Sequence, residues 1–273
     1  MTVCLVGAGN MGGAMLRGWL ESGYDPTHLS VVDPSPSPSM AELLAQAGVA
    51  HAVDCTAAAP VDVVIVAVKP QLMAAVLPTL GPLIGDKTVL VSVAAGTQIA
   101  QLSQAFNTGT PTVVPKVIRV MPNTPSMIGQ GMSVCVANAA VSADAREAVT
   151  ALMEAVGEVA WVDDEALINA VTAVSGSGPA YVFYLAEAMA SAGEAAGLPP
   201  ALSRQLAVAT VAGAGNLLKQ SNDDAATLRR NVTSPNGTTQ AALEVLMADD
   251  GLGPLMKKAV AAAAKRSEEL AQD

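Results

Sequence analysis

The stretch Val3-Cys4-Leu5-Val6-Gly7-Ala8-Gly9-Asn10-Met11-Gly12 decides the fold. Four apolar residues make a short buried strand. Gly7, Gly9 and Gly12 then spell G-x-G-x-x-G, and Met15, Leu16, Trp19 and Leu20 follow at helical spacing. Strand, glycine turn and helix in that order are the context in which the motif marks a dinucleotide site. Gly7 allows the tight turn, Gly9 lets a pyrophosphate approach the backbone, and Gly12 lets helix and strand pack closely. Ala8, Asn10 and Met11 complete the loop, and the N–H groups at the helix start face the phosphates. A second strand, 29–32, ends at Asp33, which lies 21 residues past Gly12. A dinucleotide-binding unit places the acid that holds a ribose diol there. The plain alternative is a glycine turn with no ligand.

The chain has 273 residues, which at about 100–200 residues per domain means one or two domains. Charged residues make up only 14% and hydrophobic ones 51%, against about 25% charged in an average chain. Aromatics are 3%, so the apolar mass is Ala, Val, Leu and Met. A chain this poor in charge is expected to hide surface in contacts between subunits. The net charge is −10 and the basic residues are scattered apart from Arg229-Arg230 and Lys257-Lys258, which argues against nucleic acid as a partner. Cys4, Cys55 and Cys135 lie far apart, two of them in strand-like runs. They read as small core residues of a reducing, cytoplasmic protein, neither bridges nor metal ligands. No basic segment precedes the first strand, so no signal peptide is expected. No apolar run reaches the roughly 20 residues a membrane helix needs.

After Asp33, a Pro-Ser run leads to a helix through Ala47, with Ser39 and Glu42 as its capping box. A strand near 49–53 follows. The β-branched run 61–68 is the clearest buried strand, and Lys69-Pro70 ends it. A helix over 71–80, a strand at 89–93 closed by Ala94-Ala95-Gly96, a short helix over 99–105, a polar loop and a strand at 116–120 come next. Strands at 133–137 and 159–162 flank a helix over 143–156. This alternation predicts a Rossmann-type, doubly wound parallel sheet. From Asp163 onward no strand is recognisable. Helices are expected over 165–174, 179–196, 200–220, 225–231, 238–248 and 252–271. The division is therefore an α/β dinucleotide-binding domain, 1–162, and an all-α substrate and dimerisation domain, 163–273.

Ligands of such sheets bind beyond the carboxyl ends of the strands. Val68-Lys69-Pro70, Ala94-Ala95-Gly96 and residues 121–125 lie there. Lys69 reads either as a contact to cofactor phosphate or ribose or as a solvated strand-end lysine. Asn123 and Thr124 read either as nicotinamide contacts or as a Pro-flanked turn. In the helical part, Ser175-Gly176-Ser177-Gly178-Pro179-Ala180-Tyr181 and Thr233-Ser234-Pro235-Asn236-Gly237-Thr238-Thr239 stand out. The second gathers hydroxyls and N–H groups at a helix start, which suits a small carboxylate or serves capping alone. The two histidines, His28 and His51, both lie in the first domain, and no lysine lies between Lys116 and Lys219. Hydroxyl-to-ketone chemistry with a strong base is therefore disfavoured, and hydride transfer with positioning fits better.

With these residues assembled, the chain resembles the pyrroline-5-carboxylate reductase family along its whole length. The likeness rests on the glycine loop, Val68-Lys69-Pro70, the Arg119–Pro125 stretch and the two helical-domain motifs, the last two being the specific ones. The resemblance implies reduction of L-1-pyrroline-5-carboxylate to L-proline, the last step of proline synthesis, by NADPH or NADH. It implies a homodimer of intertwined helical domains, often assembled into a decamer. Carried over by motif, Thr239 would hydrogen-bond the ring nitrogen. Ser234 and the backbone of Gly237 and Thr238 would hold the carboxylate, and Glu165 would lie near the substrate. Residues 7–12, Val68, Lys69, Pro70, Ala95 and Asn231 would meet the cofactor. Asn236 departs from the family's usual glycine but tolerates φ > 0. Ser35, Ser37 and Ser39 suit a 2′-phosphate beside Asp33, yet no Arg or Lys lies between Arg17 and Lys69 to neutralise it, so either cofactor is expected to be accepted. A reductase of another small cyclic imine and a non-catalytic NAD(P)H sensor are the alternatives.

Overall fold

The computed structural model describes residues 1–104 and 115–271. Its eight strands are β1 Val3–Val6, β2 Leu29–Val32, β3 Ala50–Ala52, β4 Val63–Val66, β5 Val89–Ser92, β6 Lys116–Met121, β7 Gly131–Ala137 and β8 Gly157–Trp161. They form one sheet in the order β3-β2-β1-β4-β5-β6-β7-β8. The helices are α1 Asn10–Glu21, α2 Pro38–Ala47, α3 Met73–Val76, α4 Ile99–Gln104, α5 Ala143–Glu154, α6 Leu167–Val171, α7 Gly178–Ala195, α8 Pro200–Gln220, α9 Ala225–Asn231, α10 Thr238–Leu246 and α11 Leu252–Leu270. The expected end of the 99–105 helix and the polar loop after it lie outside the described residues.

Both faces of the sheet are covered, which is why its strands read as unbroken apolar runs. Val3 and Leu5 face one core with Met15, Leu16, Trp19 and Leu152. Cys4 and Val6 face the other with Leu80, Leu90 and Leu102. The Trp19 indole N–H donates to the Leu152 carbonyl at 2.8 Å, which ties α1 to α5.

Four expectations differ from the fold. The β7 strand runs antiparallel to β6, because the residues joining them, 122–130, are too few for the helical crossover a parallel pair requires. The helix expected over 71–80 is one α-turn between 3-10 turns, Pro70–Leu72 and Leu77–Leu83. Pro78 and Pro82 each remove an N–H and exclude a regular α-helix. The cap of α2 is Ser37, whose hydroxyl accepts the Met40 N–H at 3.3 Å, and Pro38 is the first helical residue. Finally, α6 passes into a π-turn over Thr172–Gly176.

The chain divides into two compact units, Met1–Gly176 together with residues from Ala264 onward, and Ser177–Ala263. Residues just past 163 pack on the sheet, since Ile168 is fully buried against Val134 and Val136 of β7. The end of α11 counts with the first unit, where the Ser267 hydroxyl donates to Asn169 Oδ1 at 2.9 Å. Within Ser177–Ala263, only Ser203 and Ala207 are buried. Phe183 and Tyr184 are 65% and 70% exposed, so this unit has almost no core of its own. Among the described residues, no helix is long and apolar enough to cross a membrane.

Candidate functional site

The carboxyl ends of β1, β4 and β5 lie side by side, with Val6 beside Val66 and Val66 beside Ser92. They carry residues 7–12, 67–70 and 93–96. Strand order changes direction between β1 and β4, so the glycine loop opens at the switch point where such sheets take their ligands. Backbone bonds align the ends. The N–H of Gly7 donates to Val32 O at 2.8 Å, that of Ala67 to Val6 O at 2.8 Å, and that of Val93 to Val66 O at 3.1 Å.

The loop fits a dinucleotide. Gly7 has φ +93, and a Cβ there would meet Val68 Cγ1 at 2.9 Å. A Cβ on Gly12 would overlap the Gly7 carbonyl oxygen. Gly9 differs, since a Cβ there would meet nothing within 4 Å, so its backbone faces open space. No side chain caps α1, and Gly13 is the first N–H to find a carbonyl, Gly9 O at 2.7 Å. The N–H groups of Asn10, Met11 and Gly12 are left for an anion. Beside the loop stand half-buried Val68 and Ala95, and exposed Lys69 and Pro70. The Lys69 carbonyl accepts the Leu72 N–H at 2.9 Å, and the Lys69 ammonium makes no hydrogen bond or ion pair with any described residue.

Asp33 is tied down. Its Oδ2 accepts the Ala8 N–H at 2.7 Å and its Oδ1 accepts the Ser35 N–H at 2.8 Å. The acid thus braces the glycine loop against the turn after β2. A carboxylate offers about four lone-pair sites, so ribose hydroxyls still find acceptors. The imidazole Nε2 of His51 lies 2.9 Å from Asp33 O, and neither histidine is placed for proton transfer at the strand ends.

Glu165 has partners that motif reasoning missed. Its Oε1 accepts from Arg119 Nη1 and from the Ile99 N–H, both at 2.9 Å. Arg119 is only 3% exposed. This pair, buried on the arginine side and half-buried at Glu165, ties β6, the residues before α6 and the start of α4 together. The available signal was Arg119 itself, a single charge inside an apolar strand. Asn123 is also committed. Its amide N–H donates to Ser175 O at 3.1 Å and its Oδ1 accepts the Met132 N–H at 2.8 Å. It fastens the turn after β6, where Thr124 opens a 3-10 turn, and its amide is already used at both ends.

In the second unit, the residues of the last motif converge on the start of α10. Pro235 and Asn236, the latter at φ 59, form a turn closed by the Gly237 N–H on Ser234 O at 3.0 Å. Pro at the second place and positive φ at the third are the type II arrangement, and asparagine fills the place that usually takes glycine. The Gly237 N–H is therefore engaged within the turn. Gly237 serves as the N-cap, without a capping side chain. The N–H groups of Thr238, Thr239 and Gln240 have no carbonyl within the helix. The hydroxyls of Ser234 and Thr239 make no hydrogen bond with any described residue. Asn231 is exposed at the end of α9, whose cap, Asp224, accepts the Thr227 N–H at 2.6 Å. That bond holds the Asp224 carboxyl below its ordinary range.

The comparisons agree with this geometry. A family model described as pyrroline-5-carboxylate reductase dimerisation matches residues 165–270. One described as NADP oxidoreductase, coenzyme F420-dependent, matches residues 2–96. The chain is 42% identical to a pyrroline-5-carboxylate reductase of Pseudomonas aeruginosa, over 99% of this chain and 97% of that one. It is 37% identical to that of Corynebacterium melassecola, over 98% of each. A solved pyrroline-5-carboxylate reductase from Coxiella burnetii superimposes with a TM-score of 0.89 at 33% identity, covering 98% of both chains. The Plasmodium falciparum pyrroline carboxylate reductase with NADP bound gives 0.82 at 26% identity, covering 99% of this chain and 98% of that one. With a dinucleotide loop at the switch point and 42% identity over nearly the full length of both chains, the chain belongs to the pyrroline-5-carboxylate reductase family.

Proposed function

We propose that the chain reduces L-1-pyrroline-5-carboxylate to L-proline, the last step of proline synthesis. The observation that carries this is the start of α10, where backbone N–H groups and the Ser234 and Thr239 hydroxyls have no partner among the described residues. A small carboxylate fits the N–H groups of Thr238 and Thr239 and the Ser234 hydroxyl. The Thr239 hydroxyl is then left for the ring nitrogen. NADPH or NADH, held by residues 7–12 with Asp33, Ser35, Val68, Lys69, Pro70, Ala95 and Asn231, supplies the hydride. A protonated cyclic imine is already electrophilic, so the chain needs no strong base at this site. Its task is to hold the reacting atoms roughly 3–3.5 Å apart. Glu165 serves this task from its ion pair with Arg119.

Residues 163–273 act as the substrate and self-association module, a division that the family match beginning at 165 supports. A helical unit that buries only Ser203 and Ala207 needs a second copy to cover its apolar residues. A homodimer is the minimal assembly.

The test is a spectrophotometric assay of the pure protein, following NADPH and NADH oxidation separately with pyrroline-5-carboxylate and with its six-membered analogue. Turnover with the five-membered ring is expected. No turnover with either ring removes the enzyme reading, and cofactor binding without consumption would mark a sensor instead.

A further inference from the structure

We propose that Arg17, on α1, is the residue that selects NADPH over NADH by receiving the 2′-phosphate; this rests on the reductase reading above. A cavity of about 380 Å³ lies between the start of α1, the turn after β2 and the start of α2. Among the described residues, Arg17 and Asp33 carry the only charges on its lining. Arg17 lies two turns along α1 from Asn10, on the same face as Ala14, so the helix itself brings the guanidinium to this wall. Between them Gly13 and Ala14 present almost no side chain, which keeps the floor open. The guanidinium is exposed and makes no hydrogen bond or ion pair with any described residue. A cation left without a partner at a cofactor cavity is available to an anion.

The other walls favour the same ligand. Ser35, Ser37 and Ser39 line the cavity. Ser37 and Ser39 hydroxyls lie 3.2 Å apart, and the Ser35 hydroxyl has no partner among the described residues. The Asp33 carboxylate, the feature that disfavours a 2′-phosphate, has one backbone N–H on each oxygen. Those bonds hold it towards the glycine loop and offset part of its charge. The absence of a basic residue after β2 is thus answered from α1, by a residue eight positions past Gly9. Arginine suits the task because its planar fork makes paired bonds to phosphate oxygens.

The experiment is isothermal titration calorimetry of the full chain with NADP⁺, NAD⁺, adenosine 2′,5′-bisphosphate and 5′-AMP, for the wild type, Arg17→Gln and Arg17→Lys. Arg17→Gln is expected to weaken NADP⁺ and the bisphosphate at least tenfold, about 1.4 kcal/mol. NAD⁺ and 5′-AMP should stay within twofold, and Arg17→Lys should fall between. Raising the ionic strength should weaken the bisphosphate more than 5′-AMP in the wild type and equally in Arg17→Gln. Equal losses for phosphorylated and unphosphorylated ligands, or no loss for either, would overturn the role of Arg17. A wild type that binds neither dinucleotide would instead bring down the reductase reading itself. Should Arg17→Gln fold poorly, the salt dependence in the wild type decides alone, and indifference to salt rejects the proposal.

Discussion

Removing the carboxylate of Glu165 should cost stability before it costs chemistry. Arg119 is 3% exposed on β6, and its guanidinium pairs with Glu165 Oε1 at 2.9 Å. Stripping one member from a buried pair strands the other charge, which costs about 3–5 kcal/mol. The Glu165 side chain is 29% exposed, so water reaches the gap and the lower end, about 3 kcal/mol, is the expectation for Glu165→Ala. For a unit of this size about 2–4 °C is lost per kcal/mol, so the melting temperature should fall by about 6–12 °C. Glu165→Gln keeps an oxygen for Arg119 and the Ile99 N–H, and should lose about 1 kcal/mol.

The assay is guanidinium unfolding followed by far-UV circular dichroism at one protein concentration, run as a double-mutant cycle with Arg119→Met. Arg119→Met removes the stranded charge, so adding Glu165→Ala to it should cost little. A coupling of about 1.5 kcal/mol or more is expected for groups in direct contact. Additive effects would refute the bracing role. A direct substrate contact would look different, with KM raised in Glu165→Gln and the unfolding midpoint unmoved.

Thr239→Val should lower kcat/KM by more than about tenfold, at least 1.4 kcal/mol of transition-state binding, with cofactor affinity unchanged; wild-type turnover would remove the hydroxyl from the reaction. Gly12→Ala places a methyl on the Gly7 carbonyl. It should cost about 1–3 kcal/mol and abolish measurable NADPH binding by calorimetry, and a normal Kd would show that the loop can open. Burial lifts the thiols of Cys4 and Cys135 from 9.0 to about 11 and about 12. Their folded values lie above the unfolded one, so the associated stability is full below pH 9 and is lost as pH rises towards 11 and 12. Each thiol contributes about 1.4 kcal/mol per pH unit in that window. Cys135→Ala should flatten the fall between pH 9 and 11 by that slope, and an unchanged slope would count against burial as the cause.

What was legible in the sequence was local. The glycine loop, its strand and its helix lie within residues 3–21, and the strands read as strands because both faces of the sheet are covered. The α10 turn was legible too, since Asn236 stands where φ must be positive and asparagine tolerates it. Errors arose where proline breaks a periodic pattern, as at Pro78 and Pro82. They also arose where the cap was one of several serines. Ser37 rather than Ser39 caps α2 because Pro38 suits the first helical position.

The site was legible as a set of residues but not as a set of bonds. Asp33 sits at the spacing of a ribose-binding acid, yet its oxygens take the N–H groups of Ala8 and Ser35, and one of these partners is 25 residues away. Glu165 matched a motif position, while its partners Ile99 and Arg119 lie 66 and 46 residues away. Motif spacing carries residue type and order, and it carries no information on which lone pairs are already taken. Composition, by contrast, reported something that no motif did. Only 14% of the chain is charged, and its exposed Phe183, Tyr184, Leu217 and Leu218 lie on helices apolar around much of their circumference. A helix with so wide an apolar surface does not reveal from its own period which face meets its neighbour in the chain and which meets another chain. The same deficit of charge that made the helical unit readable as an association surface therefore blurred its packing.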